Sequence, residues 1–122
     1  MIIPEVLWRD SDYTGCDWRH SGDPDDYSTL QWKDSNTVTK PTEAQLQAKW
    51  DGGIKVAYMK DTVREKRDEL IKETDWWGTS DITMTSEQTT YRQSLRDITN
   101  DTTGWDTNEY GAVTGVTWPT KP

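Results

Sequence analysis

The chain has 122 residues and a formal net charge of −8, with 22 acidic against 14 basic residues. This length corresponds to one ordinary domain. The negative charge disfavours binding to a nucleic-acid phosphate backbone or to an anionic membrane surface. Cys16 is the single cysteine, which excludes an intramolecular disulfide and is compatible with a reducing compartment. With no membrane-length apolar run and no signal-peptide pattern, we expect a soluble protein that acts where it is made.

Aromatic residues supply much of the apolar surface. Only 31% of residues are hydrophobic and there is no Phe, but there are 8 Trp and 5 Tyr. Each large ring buries roughly 150–250 Å², so a few rings replace many aliphatic side chains. Because the indole N–H needs a partner, Trp also suits half-buried positions and interfaces. The composition predicts a small core whose stability comes partly from a partner.

The first 40 residues show little helical periodicity and are rich in Asp, Ser, Thr and Gly. We predict short strands at residues 2–8 and 27–32, and a turn at "SGDPDD", residues 21–26. The segments "DYTGCDW" and "DYSTLQW" resemble each other and both end on Trp. Aromatic anchors in a region of narrow composition explain this similarity better than a duplicated hairpin does.

The first helix signal is "KPTEAQLQAKW". Thr42 is a suitable N-cap with Gln45 three residues later, which is the spacing of a capping box, and Pro41 prevents an earlier start. Leu46 and Trp50 lie four residues apart on one face. The following Gly-Gly pair is expected to end or loosen this helix.

Two longer helices follow. Residues 54–74 carry apolar side chains at helical spacing opposite a charged, solvated face. Residues 85–98 have Thr85 or Ser86 as the cap and an apolar stripe that includes Tyr91 and Leu95. The intervening linker allows the two helices to fold back as an antiparallel pair.

After residue 100 the chain is rich in turns and then extended, ending in "VTWPTKP". The predicted fold class is α+β, mainly α. It consists of a helical hairpin, an irregular or short-stranded N-terminal region and an extended C-terminal tail. We divide the chain into residues 1–51, an extended or short-stranded anchoring region with one short helix, and residues 52–122, the helical-hairpin module.

No catalytic constellation is evident. His20 is the only histidine, and with Cys16 it provides two soft ligands where a zinc site normally needs four. "SGDPDD" lacks the spacing and closing Glu of an EF-hand loop, and "DGGIK" lacks the pattern of a phosphate-binding loop. The prediction is a protein that is not an enzyme, with no catalytic residues, no metal and no cofactor.

The C-terminal half contains more aromatic residues than a helical hairpin has room to bury. Helix caps and core anchoring account for about two of them, so we expect others to face a partner. The residues concerned are Trp76, Trp77, Trp105, Tyr110 and Trp118.

Three blocks in this half resemble the phage tail assembly chaperone family: "RDELIKETDWW", "YRQSLRDIT" and "VTWPTKP". They occur in the family's order and span about residues 64–122. The Asp-Trp-Trp and "MTSEQTTYRQ" forms are most similar to versions from marine, cyanophage-like viruses. The chain departs from the family pattern at Gln88, where many members have Trp, at Ser94, where Ala is usual, and at Trp77, where Thr is common.

The resemblance implies a protein of phage tail or tail-fibre assembly or attachment that works by protein–protein binding and has no catalytic residues. Expected partners are tail or tail-fibre proteins, not nucleic acid or membrane, and the expected location is the virion tail or fibre, or the host cytoplasm during assembly. Aromatic side chains would cover an apolar surface of the partner, and arginines would make directional hydrogen bonds. The candidate partner-binding residues are Asp75, Trp76, Trp77, Tyr91, Arg92, Arg96, Trp105 and Trp118.

Two other functions remain open. The chain is alternatively a permanent component of the virion tail, neck or fibre, with homo-oligomers in the particle as one arrangement. Its acidic first 40 residues would then be a weakly structured arm that orders on a neighbour. The third alternative is a small carbohydrate-binding module that uses stacked Trp.

Overall fold

The computed structural model describes residues 1–122, and the chain forms two compact units. The first comprises Met1–Tyr58 with Thr107–Ala112, and the second comprises Met59–Asp106 with Val113–Pro122. The chain is mostly helical with a few short antiparallel strands, which confirms the predicted α+β, mainly α class. No helix is both long and apolar enough to span a membrane.

The elements are short, apart from two helices. The helices are α1 (Ile3–Arg9), α2 (Glu43–Lys49), α3 (Lys55–Lys72) and α4 (Ser86–Asp97). The strands are β1 (Trp18–Arg19), β2 (Gln31–Trp32), β3 (Asp106–Thr107) and β4 (Val113–Thr114). β1 pairs with β2 and β3 with β4, as two separate sheets. The remaining helical segments are 3₁₀ turns at Tyr27–Thr29 and Asp75–Gly78 and a π-helical segment at Trp50–Ile54.

Helix α1 occupies the place of the strand predicted at residues 2–8, so that prediction was wrong. Pro4 lies in the first helical turn, where its missing N–H is not needed and its fixed φ suits a helix. Ile3, Val6 and Leu7 are spaced three and four residues apart and are all buried. This spacing decides the structure, although β-branched residues also occur in strands.

The second predicted strand, residues 27–32, is a strand only over its last two residues, which form β2. Tyr27–Thr29 forms a 3₁₀ turn, because the Asp26 carboxylate accepts hydrogen bonds from the Ser28 N–H and hydroxyl and caps the turn. The turn predicted just before it is confirmed. There the Asp26 N–H donates to the Asp23 carbonyl oxygen at 3.0 Å.

The two similar segments of the N-terminal region meet through their tryptophans. Trp18 and Trp32 are direct partners in the antiparallel register of β1 and β2. The Trp32 indole N–H donates to the Val38 carbonyl oxygen at 2.8 Å, and its ring lies edge-on to Tyr13 at 6.3 Å. Such cross-strand aromatic pairs stabilise short hairpins. The recurrent Trp therefore anchors a hairpin between the two segments.

The first unit has its own apolar core, built from α1, α2 and the segment between them. Its buried members are Ile3, Val6, Leu7, Tyr13, Leu30, Leu46 and Trp50. Lys49 fastens α2 to the chain after α1 by ion pairs to Asp10 at 3.1 Å and Asp12 at 2.6 Å. The first 40 residues thus pack against a core within the chain, which corrects the expectation of a weakly structured arm.

The capping box predicted at Thr42 and the cap predicted at Thr85 or Ser86 are both confirmed, and the second cap is also a capping box. Thr42 caps α2 and Thr85 caps α4, and each exchanges hydrogen bonds with the Gln three residues later. The Gly-Gly pair, predicted to end or loosen α2, loosens the helix into a bend. Gly53 takes a φ of 139° inside the π-helical segment, and the chain then continues into α3.

The core of the second unit joins the last turn of α3 to α4. Trp77, Tyr91 and Leu95 are buried there, with Leu70, Ile71, Met84 and Trp118 packed around them. Met59 and Val63 of the predicted α3 stripe are also buried, whereas Val56 is exposed. The small aromatic core that the composition predicted is therefore split between two clusters.

Gly115 lies where the chain passes close to itself. Its φ is +78°, and a Cβ there would collide with the carbonyl oxygen of Gly104. Gly104 has the same φ, but a Cβ on it would meet nothing within 4 Å. A side chain at either position would therefore have the same unfavourable backbone conformation, but only a side chain at Gly115 would also collide with the neighbouring backbone.

We predict that Gly104→Ala lowers the free energy of unfolding by about 1 kcal/mol, the ordinary cost of a side chain at positive φ. Gly115→Ala should cost at least about 2 kcal/mol more, because a backbone oxygen cannot rotate away. Urea titrations followed by circular dichroism measure both. Equal losses in the two variants would contradict the predicted collision.

Candidate partner-binding site

Two adjacent tryptophans on the 3₁₀ turn after α3 have opposite environments. Trp77 is buried against Tyr91, with ring centroids 6.1 Å apart. Trp76 is 58% exposed and meets Trp77 edge-on at 6.2 Å. One indole therefore anchors the turn and the other is presented to solvent.

The Arg92 guanidinium connects α4 to this turn and to the end of α3. It donates to the Ile71 carbonyl oxygen at 3.0 Å, to Thr74 Oγ1 at 2.7 Å and to the Asp75 carboxylate at 3.0 Å. Its side chain is only 12% exposed. A planar guanidinium with five N–H groups is able to serve three acceptors at fixed directions. Arg92 is thus occupied by bonds within the chain.

Thr74 is the residue of this site that the sequence did not single out. It is fully buried, and its hydroxyl donates to the Ile71 carbonyl oxygen at 2.9 Å while accepting from Arg92. The Ile71 carbonyl oxygen at the C-terminus of α3 thus accepts from both the hydroxyl and the backbone N–H of Thr74. The available signal was a hydroxyl residue at the end of the helix, directly before Asp-Trp-Trp.

The predicted extended C-terminal tail is confirmed, and cations hold it to the aromatic cluster. The half-buried Trp118 packs on the cluster, with Lys66 Nζ 4.5 Å from its ring centroid. Lys121 Nζ lies 5.8 Å from the Trp77 ring centroid and 3.7 Å from a Glu73 carboxylate oxygen. Cation–π contacts of this kind stabilise by about 0.5–1 kcal/mol at exposed sites.

The remaining candidate residues lie outside this bonded network. Arg96 is exposed in the last turn of α4, and no group within the chain pairs with it. Trp105 is half-buried and does not belong to the cluster. Ile82 is a further exposed apolar side chain that follows the turn, and it was not among the predicted residues.

Cys16 and His20 line an open pocket of the first unit. The His20 Nε2 hydrogen-bonds with the Asp26 carbonyl oxygen at 3.1 Å. Nowhere in the chain do three or more His, Cys, Asp or Glu side chains come together in an arrangement that could hold a metal ion.

The buried Trp77, the Arg92 bridge and the fastened tail all lie within one stretch of sequence that is similar to a known family. The sequence model of the phage tail assembly chaperone protein family matches residues 60–122, just over half of the chain. The chain belongs to this family. No curated protein and no solved structure matches it.

The phage tail assembly chaperone match confirms the resemblance seen in the three sequence blocks. It contains every candidate partner-binding residue, from Asp75 to Trp118. Residues 1–59, with nearly all of the first unit's core, lie outside it. In this chain the family's assembly module is therefore accompanied by a second packed structure.

We predict that Arg92→Ala lowers the free energy of unfolding by about 2–3 kcal/mol, because it removes all three hydrogen bonds of the guanidinium and leaves the buried Thr74 hydroxyl oxygen without its donor. Arg92→Lys should recover little, since one ammonium group cannot reproduce the planar fork. The matched control is Arg96→Ala on the same helix, which should change stability by less than about 0.5 kcal/mol. Denaturant unfolding measures all three, and equal losses in the Arg92 and Arg96 variants would refute the bridge.

The pKa of Tyr91 is raised, first by its burial and second by the Glu73 carboxylate. Because the folded state favours the neutral phenol, Tyr91's contribution to stability is present below pH 10, its ordinary pKa. It is lost as pH rises through the higher pKa of the folded state. We predict that Tyr91→Phe weakens the loss of stability above pH 10.

The measurement is the unfolding midpoint at a series of alkaline pH values. Tyr110→Phe is the control, because this side chain is 81% exposed. A pH profile that is the same for the wild type and Tyr91→Phe would show that Tyr91 is not coupled to folding.

Proposed function

We propose that this chain assists assembly or attachment of a phage tail or tail fibre by binding other tail proteins, without catalysing a reaction. Membership of the phage tail assembly chaperone protein family supports a role in tail assembly. The exposed Trp76 is the observation that supports binding to another protein. The proposed partners are tail or tail-fibre subunits, and the proposed locations are the virion and the host cytoplasm during assembly. The Asp-Trp-Trp form favours a cyanophage-like source.

Trp76 has the properties of an interface anchor. It sits between two fixed residues, because Asp75 is held by Arg92 and Trp77 is buried. Covering its exposed part would contribute roughly 2–3 kcal/mol. A side chain held in place before binding loses little conformational freedom on binding, and such residues are typical hot spots.

The other candidates take supporting roles in this proposal. Ile82 is a second exposed apolar side chain, six residues after Trp76, and Arg96 is a free donor for a partner's carboxylate or carbonyl. Tyr91, Trp77, Arg92 and Trp118 shape the surface from within. Trp105 is half-buried, and no specific role is assigned to it.

We predict that Trp76→Ala weakens binding to the tail partner by at least about tenfold without unfolding the chain. Purified full-length chain is titrated with purified tail and tail-fibre subunits of the same virus by calorimetry. Tyr110→Ala removes a more exposed aromatic side chain and should leave the affinity unchanged. No binding to any tail component, or equal binding by Trp76→Ala, would sink the proposal.

A permanent place in the virion is the second candidate, because residues 1–59 add a packed structure outside the family match. In that case residues 1–51 anchor the chain and residues 52–122 form the assembly module. Quantitative mass spectrometry of purified particles separates the two. If the particles contain this chain in stoichiometric amounts, it is a structural component of the virion. If they do not contain it, it acts only during assembly.

A further inference from the structure

The first unit contains an open pocket of about 660 Å³ that the tail-assembly proposal does not use. This volume lies within the range of small-ligand sites, about 300–1,000 Å³. Aromatic and polar side chains line it together. The lining residues on which the argument rests are Trp8, Trp18, Arg19, His20 and Gln31.

Two tryptophans form the aromatic part of the pocket. Trp8 is 65% exposed, since α1 directs Ile3, Val6 and Leu7 into the core and leaves Trp8 outside. Its ring centroid lies 5.5 Å from that of Trp18 at an interplanar angle of 48°. The contact with Trp18 limits the orientations of the exposed indole, which therefore offers a flat apolar face to a ligand.

Unpaired polar groups stand beside this face. Arg19 and Gln31 are direct partners in the β1–β2 register, both are exposed, and neither side chain has a hydrogen-bond partner within the chain. By contrast, Asp17 in the same pocket is paired with Lys33 at 3.4 Å. Arg19 offers only donors, whereas the Gln31 amide offers both donors and an acceptor.

His20 adds an acceptor. Its Nε2 lies 3.1 Å from the Asp26 carbonyl oxygen, which only accepts, so we assign the proton to Nε2. In the neutral ring Nδ1 then has a free lone pair. The pocket thus presents one aromatic face beside a mixed set of donors and acceptors.

We propose that this pocket binds a neutral saccharide. A pyranose ring has an apolar C–H face that stacks on an indole, and a rim of hydroxyl groups that both donate and accept. An anionic ligand is disfavoured by the net charge of −8 and the acids of residues 23–26, and a cationic one by the free Arg19. A purely apolar ligand would leave Arg19 and Gln31 desolvated without partners.

The test screens the full chain on an array of neutral gluco-, galacto- and manno-oligosaccharides, and then titrates those that bind. We expect at least one to bind and to shift the indole N–H signal of Trp8 in ¹⁵N NMR spectra. Trp8→Ala, and separately the double variant Arg19→Ala/Gln31→Ala, should each raise Kd by about tenfold or more. All these side chains are exposed, and circular dichroism checks that the variants fold.

Trp76→Ala is the matched control, an exposed Trp in the other unit, and should leave saccharide affinity unchanged. Trp8→Ala should in turn leave binding of tail subunits unchanged, so the two proposals fail independently. The saccharide proposal is overturned if no neutral oligosaccharide binds at millimolar concentration. It is also overturned if binding persists unchanged in both pocket variants or leaves the Trp8 signal unmoved.

Discussion

The second unit depends on one guanidinium. Arg92 links α4 to three acceptors at the end of α3 and on the following turn. The C-terminus of a helix leaves carbonyl groups without partners, and in a cluster with few aliphatic side chains these must be satisfied locally. At the end of α3, the Ile71 carbonyl oxygen accepts from the Thr74 N–H, from the Thr74 hydroxyl and from the guanidinium. Apart from these hydrogen bonds, α3 contributes only Leu70 and Ile71 to the apolar cluster around Tyr91 and Leu95.

This arrangement explains why the chain has two tryptophans in succession. Arg92 fixes Asp75, and the aromatic cluster fixes Trp77, so the residue between them has a defined direction. In a chain without Phe, one indole serves as the apolar anchor and its neighbour is released to the surface. Structural order and exposure are thus produced by the same short turn.

Local signals in the sequence predicted the local structure well. The capping box at Thr42 depends on residues three positions apart and is present as predicted, and Thr85, one of the two predicted caps, begins α4. The prediction missed α1 because the helix is only seven residues long. Its only strong signals are Pro4 and the spacing of three apolar side chains, Ile3, Val6 and Leu7. So short a helix is stabilised by packing in the first unit and not by propensity.

The sequence indicated which residues form the candidate site, but not which of them are buried and which are exposed. Trp76 and Trp77 are adjacent and chemically identical, so only tertiary packing decides which is buried. The sequence likewise indicated Arg92 as a contact for a partner, whereas its acceptors lie 17 to 21 residues away in the same chain. The spacing of residues along the sequence does not show which side chains meet when they lie so far apart in the chain.

The central claim is that Trp76 contacts the tail partner while Trp77 stays in the core. The most direct test is ¹⁹F NMR of the full chain labelled with 5-fluorotryptophan, with signals assigned by single Trp→Phe variants. On addition of a purified tail or tail-fibre subunit that binds, the Trp76 signal should shift or broaden and the Trp77 signal should remain in place. A bound complex in which the Trp76 signal is unchanged would contradict the account.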